Sequence, residues 1–102
     1  MLTHEALTGL REYLMNRIAY AQYTVSGRVQ TARIESAAIV GDGRISVSVI
    51  LDPAQAPDEV VTDISLYDAD GVQLAHKAEN IVQEPSMGGI YYRFFFLIEE
   101  IE

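Results

Sequence analysis

The sequence predicts an α+β domain in which one N-terminal amphipathic helix packs on an antiparallel sheet of about five strands, arranged as two hairpins plus a C-terminal strand. Three observations support this prediction. Apolar residues recur every three or four positions near the N-terminus, short β-branched runs follow them, and turns rich in Gly and Asp separate those runs. We expect residues 1–102 to form a single domain, because a chain of this length has room for one hydrophobic core.

The predicted helix covers about residues 3–23. Its apolar stripe consists of Leu7, Leu10, Leu14, Ile18 and Ala21. Steps of three and four residues place these side chains on one helical face, which is the pattern of a helix that lies on a sheet. Thr3 is a suitable N-cap, since its hydroxyl can accept a hydrogen bond from a free backbone N–H of the first turn.

A first β-hairpin is predicted directly after the helix. Residues 28–40 alternate imperfectly between apolar and polar, which indicates a strand with a bulge near Ala37. Residues 41–43, Gly-Asp-Gly, suit a tight turn because glycine adopts positive φ without steric cost. Residues 45–51 alternate apolar side chains with Ser46 and Ser48, and form the clearest half-buried strand of the sequence.

A second hairpin follows residues 52–58, which contain two prolines and are predicted to form a loop. The alternating residues Val60, Thr62, Ile64 and Leu66 are expected to share one face of a third strand. Residues 68–71, Asp-Ala-Asp-Gly, then reverse the chain into a fourth strand that includes Val72 and Leu74.

The last predicted strand, residues 90–98, is apolar on both faces apart from Arg93, and residues 79–89 connect it to the second hairpin. A strand of this kind needs cover on both sides. One helix covers only one face of the sheet, so the other face is expected to combine small polar residues with apolar ones. The polar group is Ser46, Ser48, Asp63 and Ser65, and the apolar group is Ile50, Tyr67, Tyr91, Phe95 and Leu97.

That apolar group is the predicted interaction site. Aromatic side chains are enriched where proteins contact each other, so Ile50, Tyr67, Tyr91, Phe95 and Leu97 predict a subunit interface and a homo-oligomer. Two alternatives remain open from the sequence. The helix could cover part of this patch, or the sheet could curl into a partial barrel.

Charge and composition argue against several classes of protein. The net charge is −8, and its distribution is uneven: the chain carries +1 up to Arg44 and −9 beyond it. Such an acidic bias repels phosphate, so we expect no nucleic-acid partner. The absence of cysteine excludes disulfides and thiolate metal sites. We also expect no secretory signal, because the N-terminus has no basic region followed by an apolar one, and no membrane contact, because the longest apolar run is too short to span a bilayer.

No pattern in the sequence predicts catalysis, a metal or a cofactor. Asp68 and Asp70 resemble the start of a calcium loop, but Glu79 would have to supply its twelfth position after residues that read as a strand. Hairpin chemistry explains the two aspartates better. His4 and His76 have no metal-ligand spacing, and no Gly-x-Ser-x-Gly motif is present. We therefore expect a protein that is not an enzyme.

Residues 61–75, VTDISLYDADGVQLA, resemble the strand-turn-strand segment of phage tail-collar and tail-fibre N-terminal modules. In that family an Asp-x-Asp-Gly turn follows a Leu-Tyr pair and precedes Leu-Ala. Residues 2–10, LTHEALTGL, are similar to the family's opening helix. The resemblance implies a non-catalytic, prophage-related structural protein, a small tail or baseplate component that contacts copies of itself or other tail proteins. Its location would be the virion, or the bacterial cytoplasm during assembly.

Two other classes of function remain open from the sequence. A small-ligand module or enzyme could use a pocket between helix and sheet, lined by Tyr13, Tyr20, Tyr92 and Phe94. An ordinary filled core explains the same four residues. A regulator could instead bind a basic partner through the acidic second half of the chain, and its affinity would then fall steeply with salt.

Overall fold

A computed structural model describes residues 1–51, 60–82 and 90–99. The elements in chain order are α1 (His4–Arg17), β1 (Tyr20–Val25), β2 (Arg28–Ile39), β3 (Ile45–Leu51), β4 (Val60–Tyr67), β5 (Gln73–Val82) and β6 (Ile90–Phe96). The strands form one antiparallel sheet in the order β5-β4-β1-β2-β3-β6. The predicted α+β class with one N-terminal helix is confirmed, with six strands in place of about five. The predicted loop at residues 52–58 lies outside the described residues.

The additional strand is β1, which occupies the end of the segment predicted to be helical. Thr3 caps α1 as expected, and its Oγ1 accepts a hydrogen bond from the Ala6 N–H at 3.1 Å. The helix ends at Arg17, and alternate residues of β1 from Ala21 onward are buried. The Ala19 N–H donates to the Tyr67 carbonyl at 2.8 Å, so the chain joins the sheet immediately after the helix. Pairing with β2 and β4 on both sides outweighs local helix propensity here.

Strand β2 belongs to two parts of the sheet. Its first half, up to Arg33, pairs with β1, and its second half, from Ile34, pairs with β3. The register shifts between Ile34 and Ser36, so the predicted bulge is present in β2 but lies at Glu35, two residues before Ala37. Bulges bend a strand and increase its twist. The sheet consequently curls into a β1-β4-β5 half and a β3-β6 half that share β2.

The inner faces of both halves form one hydrophobic core. Fully buried members include Val47 and Val49 from β3 and Ile64 and Leu66 from β4. The helix contributes only partly buried side chains to this core, Leu14 and Met15, and no residue of α1 is buried. The core therefore lies mainly between the two halves of the curled sheet, and α1 covers only part of it.

Register shifts also correct the second hairpin. The shift between Val61 and Asp63 turns Val61 toward the core together with Ile64, so the predicted face that included Val60 and Thr62 is wrong. Strand β5 begins at Gln73 and continues to Val82, four residues into the predicted connection. The side chain of Tyr92 on β6 donates a hydrogen bond to Glu79 of β5 at 3.0 Å. This bond links the two ends of the curled sheet.

Candidate functional site

The outer face of the β3-β6 half presents an exposed aromatic and aliphatic surface. In the register of these strands Ser46 lies opposite Phe95, Ser48 opposite Arg93, and Ile50 opposite Tyr91. The exposed fractions of Tyr91, Phe95 and Ile50 are 56%, 47% and 47%. Leu97 follows β6 and is also exposed. We call the surface formed by Arg44, Ile50, Tyr91, Arg93, Phe95 and Leu97 the outer patch.

Four of the five residues predicted at an interface thus lie together, and the fifth does not. Tyr67 is on β4, and β1 and β2 separate it from β3. Its ring stacks on Tyr20 of β1 with a centroid distance of 5.3 Å. Tyr67 therefore belongs to a separate aromatic pair on the other half of the sheet.

Two arginines lie over the aromatic rings of the outer patch. The Arg44 guanidinium carbon is 4.5 Å from the centroid of the Phe95 ring, and that of Arg93 is 5.9 Å from the same centroid. Arg93 also lies 5.5 Å from the centroid of Tyr91. Cation–π attraction at these distances favours stacked guanidinium groups and restricts their rotamers. The patch is thus both apolar and positively charged.

In the sequence Arg93 interrupts an apolar strand, and its place among the aromatic rings of the outer face was not predicted. Period-two alternation could have revealed it, because Arg93 shares the face of Tyr91 and Phe95. Alternation could not place Arg44 on this face, because Arg44 lies between the predicted turn at residues 41–43 and the start of β3.

The serines of β3 are shielded from water by neighbouring side chains. Ser48 is 2% exposed and Ser46 is 8% exposed, although both lie on the outer face. The Nε of Arg93 donates to the Ser48 Oγ at 3.4 Å, so the long side chains of β6 lean over the short ones of β3. Ser65 on β4 is buried as well, and its Oγ accepts a hydrogen bond from Gln73 at 3.2 Å.

Hydrogen bonds hold Tyr91 and Arg93 in place. The hydroxyl of Ser48 and the guanidinium of Arg93 both hydrogen-bond the Tyr91 phenol oxygen and lower the pKa of that phenol. The Arg93 Nη2 to Tyr91 oxygen distance is 3.2 Å. In the part of the chain that the structure describes, Arg93 forms no ion pair with a carboxylate. Arg44 is paired through its Nε with Asp42 at 2.6 Å.

A shallow, open pocket adjoins the patch at the bulge of β2. It has a volume of about 340 Å³ and is lined by Arg33, Ile34, Glu35 and Ile50. Ile50 is shared with the outer patch, so the pocket extends that surface toward β2. Such a cavity has room for one side chain of a binding partner.

The turn at residues 68–71 is a structural element. One carboxylate oxygen of Asp68 accepts from the N–H groups of Asp70 and Val72, each at 2.9 Å, while the other oxygen pairs with Arg17 at the end of α1. Gly71 supplies the positive φ of 84° that the turn requires. The Arg17 guanidinium and these N–H donors lower the pKa of Asp68. Both carboxylate oxygens of Asp68 thus accept hydrogen bonds from the protein itself.

Neither histidine is part of a metal-like arrangement. Among the described residues no group of three or more His, Cys, Asp or Glu side chains could hold a metal ion. His76 lies beside Asp63 across the β4-β5 ladder, with 2.9 Å between Nε2 and Oδ1. His4 is the first residue of α1.

The four aromatic residues considered for a ligand pocket do not converge. Tyr13 is exposed on α1, where its hydroxyl accepts from Arg17 at 2.8 Å, and Tyr20 stacks on Tyr67. Tyr92 and Phe94 contact each other edge to face at 5.1 Å within the core. Burial and the nearby Glu79 carboxylate raise the pKa of Tyr92 to about 12.

No family model, curated protein or solved structure matches this chain. In the residues that the structure describes, no helix has the length and apolar character needed to cross a membrane.

Proposed function

We propose that this protein is a non-catalytic assembly component that acts through protein–protein contacts made by the outer patch. The observation that supports this most directly is the exposure of Ile50, Tyr91, Phe95 and Leu97 as neighbours on one sheet face. Exposed aromatic and aliphatic side chains that are contiguous mark interaction surfaces in soluble proteins. Aromatic residues and arginine, the types that dominate binding energy at interfaces, are both present here.

The curl of the sheet does not remove this surface. Curling covers the inner face of β6, where Ile90 and Phe94 are buried, and leaves Tyr91 and Phe95 outside. An exposed apolar face of this kind is typical of a protein that binds a partner, because contact with the partner removes the apolar side chains from water.

The resemblance of residues 61–75 to phage tail modules gives the proposal its biological setting. We propose a small tail or baseplate component that contacts copies of itself or other tail proteins, in the virion or in the bacterial cytoplasm during assembly. In this setting the turn at residues 68–71 maintains the fold, and the outer patch makes the contact.

Sedimentation velocity over a concentration series tests the proposal. We expect the wild-type protein to associate, and the double variant Tyr91→Ala with Leu97→Ala to associate at least about tenfold more weakly, because it loses central apolar contacts. The matched control is Leu10→Ala with Tyr13→Ala, which removes the same residue types from the exposed side of α1. The control should associate like the wild type. A wild-type protein that stays monomeric and captures no tail protein in pull-downs would contradict the proposal.

A further inference from the structure

We propose that the outer patch binds a second copy of this chain head to tail, so that Arg44 and Arg93 receive carboxylates from a different part of that copy, outside its own patch. This inference rests on the function proposed above and specifies the partner and the geometry of the same site.

The charge distribution identifies a second copy as a suitable partner. Among the described residues, the patch and its adjoining pocket and turn contain three arginines, Arg33, Arg44 and Arg93, and two carboxylates, Glu35 and Asp42. The remaining described residues contain seven carboxylates and four basic side chains. The whole chain has a net charge of −8. The rest of a second copy therefore has a net charge opposite in sign to that of the patch, which favours contact between the two.

The two arginines are prepared to receive carboxylates. Arg93 is fixed by Ser48 and by the rings of Tyr91 and Phe95, and its Nη1 has no hydrogen-bond partner among the described residues. Arg44 uses its Nε for Asp42 and stacks on Phe95. A guanidinium group has five N–H donors in a planar fork, so each of these arginines retains donors for a bidentate carboxylate. Less side-chain entropy is lost on binding because stacking already restricts them.

The same arginines disfavour a two-fold symmetric dimer. In such a dimer the patch of one copy faces the patch of the other, and the symmetry axis passes through their contact. Arg93 lies between Tyr91 and Phe95 on β6, so it would face its own copy. Like charges opposed at an interface destabilise it. A head-to-tail contact avoids this repulsion, and it produces rings or filaments according to whether the rotation between copies closes.

Single charge-removing variants separate the two geometries. In sedimentation velocity we expect Arg93→Gln and Arg44→Gln each to weaken association about tenfold, and Lys77→Gln, an exposed cation on β5, to leave it within about twofold. Raising the salt concentration from about 0.05 M to about 0.5 M should weaken wild-type association, since the Debye length falls below the spacing of exposed charges. Stronger association of Arg93→Gln would overturn the proposal, because only a patch-to-patch dimer gains from losing that charge.

A mixing experiment tests the direction of the contact. The double variant Arg44→Gln with Arg93→Gln retains the carboxylates outside its patch, so in a head-to-tail assembly it should bind the patch of a wild-type copy and end the chain. Adding it in excess should shift wild-type assemblies to smaller sedimentation coefficients. Unchanged wild-type assemblies would refute the head-to-tail geometry.

The outcomes distinguish this inference from the function on which it rests. If the apolar double variant abolishes association while the arginine variants and salt have no effect, the outer patch is a contact surface but this inference is wrong. If the wild-type protein neither associates nor binds a tail protein, both are wrong.

Discussion

Arg17 and Arg93 differ in their partners: the first forms an ion pair with a buried carboxylate, and the second lies against aromatic rings. Arg17 ends the only helix among the described residues and pairs with Asp68, whose side chain is buried and bonded to its own turn. Arg93 lies exposed on the outer face of β6 against two aromatic rings and a serine, with no carboxylate partner in the described region. The contacts of Arg17 are structural, whereas those of Arg93 suit the binding role proposed above. A guanidinium that forms an ion pair within the chain stabilises the fold. A guanidinium that is fixed by stacking but has no carboxylate partner can still bind one from another molecule.

A matched pair of isoleucines should show the largest difference between core and patch. Ile64 is fully buried on β4, and Ile50 is 47% exposed on β3. We expect Ile64→Ala to lower the free energy of unfolding by about 2–5 kcal/mol, because it leaves a cavity in the core. Ile50→Ala should change it by no more than about 0.5 kcal/mol. Urea unfolding measures both, and equal losses would show that the outer patch is part of the core.

The second test removes the carboxylate that pairs with Arg17. Asp68→Asn replaces a charged acceptor of three hydrogen bonds by an amide that cannot pair with the guanidinium, so the melting temperature should fall clearly. Asp70→Asn is the control, since its exposed carboxylate caps no helix and accepts no side-chain bond in the described structure. Similar melting temperatures for the two variants would contradict a structural role for the pair.

The contribution of Asp68 should also depend on pH. Its pKa is lowered in the folded state by Arg17 and by the N–H donors of Val72 and Asp70. A carboxylate with a lowered folded pKa stabilises the protein above its unfolded pKa of about 3.9, and this stabilisation is lost as the pH falls through the folded pKa. The difference in unfolding free energy between wild type and Asp68→Asn should therefore be constant from about pH 6 to 7 and shrink below about pH 4. A difference that does not change with pH would show that the ionised form is not what stabilises the turn.

The smallest expected effect concerns two neighbouring tyrosines that face opposite sides of β6. Ser48 and Arg93 lower the pKa of Tyr91, whereas burial and Glu79 raise the pKa of Tyr92 to about 12. We expect Ser48→Ala and Arg93→Gln each to raise the pKa of Tyr91 without moving that of Tyr92. Phenolate absorbance in a spectrophotometric titration reports this, with Tyr91→Phe to assign the signal. An unchanged titration in both variants would mean that the phenol is not held by these groups.

Much of the fold could be predicted because local chemistry determines it. Thr3 marks the helix start, and the Gly-Asp-Gly turn before β3 has the positive φ at Gly43 that its sequence predicts. Strand β1 could not be predicted, since Ala21 fits a helical stripe as well as a strand. Pairing with β2 and β4 decides between the two, and that pairing is a tertiary effect.

The missing prediction of β1 also explains why Tyr67 was wrongly grouped with the other interface residues. The predicted sheet did not contain β1, and Tyr67 and Ile50 were assigned to one patch only because both were expected on the face away from the helix. The structure inserts β1 between β4 and β2, which moves Tyr67 away from the outer patch. Alternation still grouped Tyr91, Phe95 and Leu97 correctly, because β6 is regular and its period of two is preserved.

The long strand β2 has a mechanical consequence. In the described part of the chain it is the one strand whose backbone pairs with both halves of the sheet. Within the backbone hydrogen bonds of the sheet, the outer patch connects to the β1-β4-β5 half through β3 and the second half of β2, across the bulge at Glu35. A change in the backbone at Glu35 would therefore alter the orientation of the outer patch relative to the β1-β4-β5 half without altering any residue within the patch.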